Sequence, residues 1–288
     1  MAGELSQPDG SIGGAWQPFT FGGAAALARS RPGRVALVGA LIAGLMAAAC
    51  ARTFCVTWMP AIENAIKALP SEIRIQGGRL DWPTNIVVRL SEGAFLGIAV
   101  NTTDSAALPE SDVTIELTPD GFRATSVLGS TFVPYPPQLS IRLEPVGLAA
   151  GWFAWKPHIV AYVFVAVFAA VWLTWLAIGL VLAPVLRLYV AVLRRAARWT
   201  DCMRLAVVCC MPGEIVMATG IFLYGTRKVS PAELLVIMVL HVILVAAYLL
   251  VTPLWFPARQ IDNGGMRDKS RISSGENPFS SSPPEDAE

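Results

Sequence analysis

Four stretches of the chain are apolar at almost every position: residues 35–51, 159–186, 205–224 and 234–256. A helix half in water would break such runs with polar residues every three or four places. Unbroken runs near or above roughly 18 residues match the ~30 Å hydrocarbon core of a bilayer. They predict four transmembrane helices, bounded at 34–58, 158–186, 203–224 and 232–256. The first is short until "RTFCVTWMP" is added, and Arg52 then snorkels toward the headgroups.

Between the first two spans the pattern changes. "PAIENAIKAL" places Ile62, Ala65, Ile66 and Leu69 at helical spacing. It predicts a short amphipathic helix continuing from the first span, with Pro60 in its first turn. The period then falls to two. "IRIQGGRLDW" reads as a hairpin turning at Gly77-Gly78, because a two-residue loop needs positive φ. Its register sets Ile75 opposite Leu80, Ile73 opposite Trp82, and Arg74 opposite Asp81 on the other face. "VTIELTPDGFRATSV" predicts a second hairpin about Pro119-Asp120-Gly121, with Leu117 near Phe122 and Glu116 near Arg123. "NIVVRL", "FLGIAVN" and "QLSIRLE" are further strands. Six or seven strands and one helix make residues 59–150 a small α+β, β-rich domain.

The remaining segments are connections and ends. Residues 1–33, rich in Gly, Ala, Ser and Pro, read as a flexible lead. Residues 187–202 are a basic connection, and 257–288 are disordered on composition. Composition agrees with a membrane protein: 54% hydrophobic, 15% charged, mean hydropathy +0.54. The net charge of +1 conceals its distribution. Arg29, Arg31 and Arg34 precede span one; Arg187, Arg194, Arg195, Arg198 and Arg204 lie between spans two and three; Arg259, Arg267, Lys269 and Arg271 follow span four. These flanks share one side in a four-span chain, which predicts both termini in the cytoplasm. Arg227 and Lys228, between spans three and four, oppose the rule. In 59–150 acidic side chains outnumber basic ones ten to six, as suits the outer side. Trp58, Trp152, Trp155, Trp199 and Trp255 fall where interfacial anchors belong, whereas Trp172 and Trp175 do not.

The candidate chemistry is sparse. "CCMPGEIVM" puts Glu214 inside span three, about ten residues from its outer end, or about 15 Å. His241 lies at a similar depth in span four. A carboxyl group at mid-membrane costs at least a few kcal/mol unless it is neutral or partnered, and His241 is the nearest partner in sequence. Pro212 donates no backbone hydrogen bond and Gly213 has no side chain, so together they can open the helix and free a carbonyl. Glu214, His241, Pro212 and Gly213 therefore form the candidate intramembrane polar site. It reads either as a protonatable pair or as a polar contact fixing helix packing.

Other features are plainer. Gly39, Ala43 and Ala47 recur at four, as do Ala40, Gly44 and Ala48, a spacing that lets helices approach closely. Pro184 kinks span two or ends its buried part, and "RLYVAVLRRAARW" either extends that helix or lies along anionic headgroups. Cys50, Cys55, Cys202, Cys209 and Cys210 all sit in or near spans and imply no disulfide framework. The 59–150 domain has no His or Cys, which removes His-based triads, thiol catalysis and the usual zinc ligands from it. Its Asp81, Asp104, Glu110, Asp112 and Asp120 read as solvated surface. No phosphate-binding loop, dinucleotide fingerprint or HExxH occurs, so no catalytic residue, metal or cofactor is expected. Asn101-Thr102-Thr103 matches a glycosylation sequon, which matters only in a eukaryotic secretory compartment.

The order of span, short helix, "LPSEIRIQGGRLDWP", β-rich domain and three further spans resembles an uncharacterised bacterial multi-span family associated with maltodextrin utilisation, in a Yip1-like group. The resemblance concerns layout over residues 35–256 and implies no catalytic residue. The expectation is a non-enzymatic multi-pass protein of the bacterial inner membrane, with an extracytoplasmic domain. It would serve as an accessory, sensory or scaffolding component, partnered by lipid and by another envelope protein, not by nucleic acid. The alternative is a small transporter or transporter subunit using Glu214 and His241.

Overall fold

The computed structural model describes residues 17–71, 73–83, 87–103 and 111–259. Expectations for residues 1–16, for Asp104 and Glu110, and for the tail from 260 lie outside these. A short helix, α1 (Phe21–Ala28), comes first. Four helices long and apolar enough to cross a membrane follow: α2 (Pro32–Ala68), α3 (Pro145–Val192), α4 (Trp199–Gly225) and α5 (Pro231–Val251, extended by a 3-10 turn at Thr252–Trp255). The β-rich region lies between α2 and α3.

α4 is the axis of the bundle. It packs against α1, α2, α3 and α5, and buries Cys202, Leu205–Gly213, Ala218 and Gly220. α5 packs chiefly on α4 and buries only Tyr248. Its apolar surface otherwise faces outward, as expected of a helix whose solvent is lipid. Local chemistry marks the helix starts. Pro231 occupies the first turn of α5, and Ser230 and Glu233 form a capping box: Glu233 N donates to Ser230 Oγ (3.3 Å) and Ser230 N donates to Glu233 Oε2 (2.7 Å). Arg198 N donates to Asp201 Oδ2 (3.0 Å) at the start of α4.

Several sequence expectations need correction. Residues 59–68 do continue the first span as a helix, but Pro60 opens no new first turn: α2 runs unbroken through that proline. The lost hydrogen bond is outweighed because Ala61 and Ala65 are buried beyond it and the helix packs on the sheet. Likewise α3 begins at Pro145, inside the expected 59–150 domain, and continues through Pro157 and Pro184 to Val192. At 48 residues it is about 72 Å long and must project well beyond a ~30 Å core. Its projecting part is held to α2: Lys156 Nζ donates to Glu63 Oε1 (2.7 Å), and Trp152 Nε1 donates to the same oxygen (3.3 Å). The lead 1–33 contains α1, whose Ala24, Ala25, Leu27 and Ala28 are buried against the end of the bundle. Thr20 caps it by accepting from Gly23 N (3.0 Å), and Phe21 packs on Tyr248 with ring centroids 4.7 Å apart.

Among the described residues the β region holds eight strands rather than six or seven: β1 (Ile73–Gln76), β2 (Arg79–Asp81), β3 (Val88–Glu92), β4 (Leu96–Val100), β5 (Val113–Thr118), β6 (Gly121–Ser126), β7 (Gly129–Pro134) and β8 (Ile141–Leu143). They form two sheets, β2-β1-β8 and β3-β4-β5-β6-β7. Gly77 (φ 58°) and Gly78 (φ 74°) make the first turn, and Arg74 pairs with Asp81 and Ile75 with Leu80, in the register read from the sequence. Leu117 pairs with Phe122 and Glu116 with Arg123 across the second hairpin. β4 and β5 run parallel, a pairing no local pattern announces. Ile73, Ile75, Leu80, Trp82, Leu90, Val100 and Tyr135 form the core, and Ala65 of α2 joins it.

Tyr135 is nearly buried there, and its hydroxyl has no hydrogen-bond partner among the described residues. Burial pushes the phenol from 10.0 up to about 12. The folded chain therefore keeps a proton that the unfolded chain releases. Stability present below pH 10 is lost as pH rises toward 12. Tyr135→Phe is expected to stabilise the domain by about 1 kcal/mol. It should also flatten this alkaline decline, read from denaturation midpoints at pH 8 and pH 11.

Candidate functional site

Glu214 sits on the central helix, and azimuth decides what it meets. Successive helical residues are about 100° apart, so Gly213 and Glu214 cannot face the same neighbour. Gly213 faces α5. A Cβ there would lie 2.8 Å from His241 Nδ1 and 2.9 Å from Val245 Cγ2, so only glycine admits this approach. Gly220, two turns on, meets Ile237 Cγ2 in the same way at 2.8 Å. Glu214, half-buried, turns toward α3, and its Oε1 accepts a hydrogen bond from Trp175 Nε1 (3.3 Å). Trp175 is fully buried.

The four residues of the candidate site are thus neighbours, but not in the expected arrangement. His241 lies beside Gly213 and within electrostatic reach of Glu214. Its Nδ1 has no hydrogen-bond partner among the described residues. The anticipated acid–imidazole hydrogen bond is replaced by an acid–indole one, because the helix face toward α5 belongs to Gly213. Nor does Pro212 open the helix: α4 is continuous through it, clasped on all sides by packed helices. Cys50 of α2 and Cys210 of α4 also lie within electrostatic reach of the carboxyl group. Each of α2–α5 therefore brings one side chain to its surroundings.

Trp175 is the residue sequence reading missed. The available signal was an indole near the middle of a span: a buried Trp N–H needs an acceptor, and few exist inside a membrane. Trp172 makes a T-shaped contact with it (centroids 5.7 Å apart) and rests against Gly39, where a Cβ would come within 3.1 Å of the indole. The two tryptophans that failed as interfacial anchors are packing elements. The Gly39, Ala43, Ala47 row is buried within the chain, while Gly44 has no neighbour where its Cβ would be.

A second cluster joins the bundle to the β domain. At the end of α4, Tyr224 OH donates to Asp112 Oδ2 (2.7 Å), and its ring meets Phe95 edge-on at 5.0 Å. Arg227 stands over Phe95 at 5.4 Å. Thr53 of α2 donates to Ile221 O (3.1 Å), under Gly225. Asp112, first read as one of several solvated acids, is thus a docking contact. Tyr224→Phe removes a hydrogen bond to a charged acceptor, worth about 1.5–3 kcal/mol. Amide exchange at 112–118 is expected to accelerate in that variant while exchange within β1 and β2 stays unchanged.

Chemically, the intramembrane cluster offers one carboxyl group fixed by an indole and one imidazole nitrogen left open. Among the described residues, no three His, Cys, Asp or Glu side chains come together as a metal site would require. No protein-family model matches the chain, and no curated protein or solved structure is significantly similar to it. The site stands on its own geometry.

Proposed function

We propose that the chain is a non-enzymatic scaffold of the bacterial inner membrane, with both termini in the cytoplasm. Its bundle holds the β domain outside the membrane for a protein partner to pair with. The observation that carries this reading is β7. It is the last strand of its sheet, and every residue from Gly129 to Pro134 is exposed. Edge strands are normally blunted by charge or proline, yet residues 127–134 contain no charge and their one proline, Pro134, stands only at the strand's last position. Instead they expose Val127, Leu128 (85% exposed), Phe132 and Val133. The opposite strand, β3, packs on α2, so β7 lies four strand spacings away, about 19 Å. An unpaired, uncharged, apolar edge held away from the bundle suits strand addition by an extended segment of another protein.

The alternative of a proton-linked transporter draws on the open His241 nitrogen. Against it, the Glu214 oxygen is already engaged by Trp175, which favours a packing role.

The test is purification from native membranes, with a photo-crosslinker at Leu128. A stoichiometric envelope protein should copurify, crosslink at that position, and be lost in Leu128→Glu/Val133→Lys without loss of thermal stability. A partner retained by that variant would refute the edge. Proton-coupled uptake by the chain alone in liposomes, abolished by Glu214→Gln, would replace this reading with the transporter.

A further inference from the structure

At the end of the bundle away from the β domain, α1, the last turns of α3, the start of α4 and the strand after α5 enclose a cleft of about 760 Å³. Six arginines line it: Arg29, Arg187, Arg195, Arg198, Arg204 and Arg259. Asp201 is the one acid among the lining residues, and its Oδ2 already accepts from Arg198 N. None of the six forms an ion pair with a carboxylate among the described residues. Two of them build the cleft itself. Arg195 donates through Nη1 to Phe256 O (2.8 Å) and Arg204 through Nη1 to Ser30 O (3.1 Å), while Arg195 and Ala258 form a β-bridge. Six guanidinium groups around one concavity repel each other unless an anion sits among them.

We propose that this cleft binds a phosphate-bearing anion, and that its source is the headgroup of an acidic phospholipid. Guanidinium matches phosphate because its planar fork donates two parallel hydrogen bonds. The lipid source follows from what adjoins the cleft. Val181, Pro184, Leu188 and Ala191 recur at three, four and three along α3 and are all exposed. They form one stripe that runs from the cleft, where Ala191 lines it, down into the apolar span. A headgroup among the arginines would lay its acyl chain along that stripe, whereas free phosphate would leave the stripe unused. Basic pockets at helix ends on the cytoplasmic side are where such headgroups are held.

Native mass spectrometry of the detergent-purified chain tests this with phosphatidylglycerol, phosphatidylcholine and inorganic phosphate. The expected result is one phosphatidylglycerol retained and no phosphatidylcholine. Arg187→Gln/Arg259→Gln should weaken retention roughly tenfold or more, since each arginine adds about 1 kcal/mol to anionic-lipid attraction. Arg31→Gln/Arg194→Gln removes the same charge from side chains that do not line the cleft and should change it by less than about twofold, because neither guanidinium reaches the headgroup and solvent screens both. Equal losses in both double variants would show diffuse surface charge and overturn the site. Binding of inorganic phosphate alone, with the same dependence on Arg187 and Arg259, would uphold the anion site and refute the lipid. Retention of phosphatidylcholine as firmly as phosphatidylglycerol would refute both.

Discussion

Gly213→Leu is expected to lower the stability of the bundle by about 3 kcal/mol, the upper range for overpacking a tight contact. The new side chain would meet His241 Nδ1 and Val245 Cγ2 from its first carbon, within 3 Å. The effect should be local in origin and large in consequence, because α5 has little besides α4 to pack on. Released α5 leaves a long apolar helix tethered only at its ends. Those tethers are known: the short connection from Gly225 to Pro231 at one end, and Tyr189 OH donating to Leu250 O (3.0 Å) at the other. Thermal unfolding in detergent should show a lower midpoint, and proteolysis should cut between α4 and α5. Gly44→Leu is the contrasting variant. Nothing lies within 4 Å of its would-be Cβ, and leucine favours helix over glycine, so stability should hold or rise by up to about 1 kcal/mol.

Glu214→Leu is expected to cost about 1–3 kcal/mol, the penalty of leaving the buried Trp175 N–H without an acceptor. Glu214→Gln keeps an amide oxygen in the same place and should stay within about 1 kcal/mol of the parent. The double variant Glu214→Leu/Trp175→Phe removes donor and acceptor together. Its loss should be smaller than the sum of the two single losses, and unfolding midpoints of the four proteins would give the coupling. Exact additivity would mean that the 3.3 Å contact contributes nothing. If Glu214→Gln proved as damaging as Glu214→Leu, the carboxyl group itself would matter, and the relay reading would gain ground.

What the sequence disclosed depended on the range of the determining interaction. The hairpins at Gly77-Gly78 and at Asp120-Gly121 were legible because turn chemistry and alternation act over ten residues. The four long apolar helices were legible because unbroken runs of apolar residues announce helices long enough to cross a bilayer. Position along neighbouring antiparallel helices followed by counting, which is why His241 could be matched to the level of Gly213 and Glu214. Azimuth did not follow. Trp175 and Glu214 are 39 positions apart on separate helices, and only packing decides which faces meet. The parallel β4–β5 pairing, the burial of α1 and the lack of any break in α2 at Pro60 share that cause. In each, tertiary contacts outweigh a local preference that points elsewhere.

The central claim is that the β7 edge and the arginine cleft lie on opposite sides of one membrane. Membrane-impermeant maleimide labelling of intact spheroplasts tests it most directly, in a chain whose five native cysteines are replaced by alanine. One protein carries Leu128→Cys and another Arg194→Cys. Leu128→Cys should label in intact spheroplasts, and Arg194→Cys only after the membrane is permeabilised. Labelling of both before permeabilisation, or of Arg194→Cys alone, would contradict the threading on which the scaffold and the lipid site both rest.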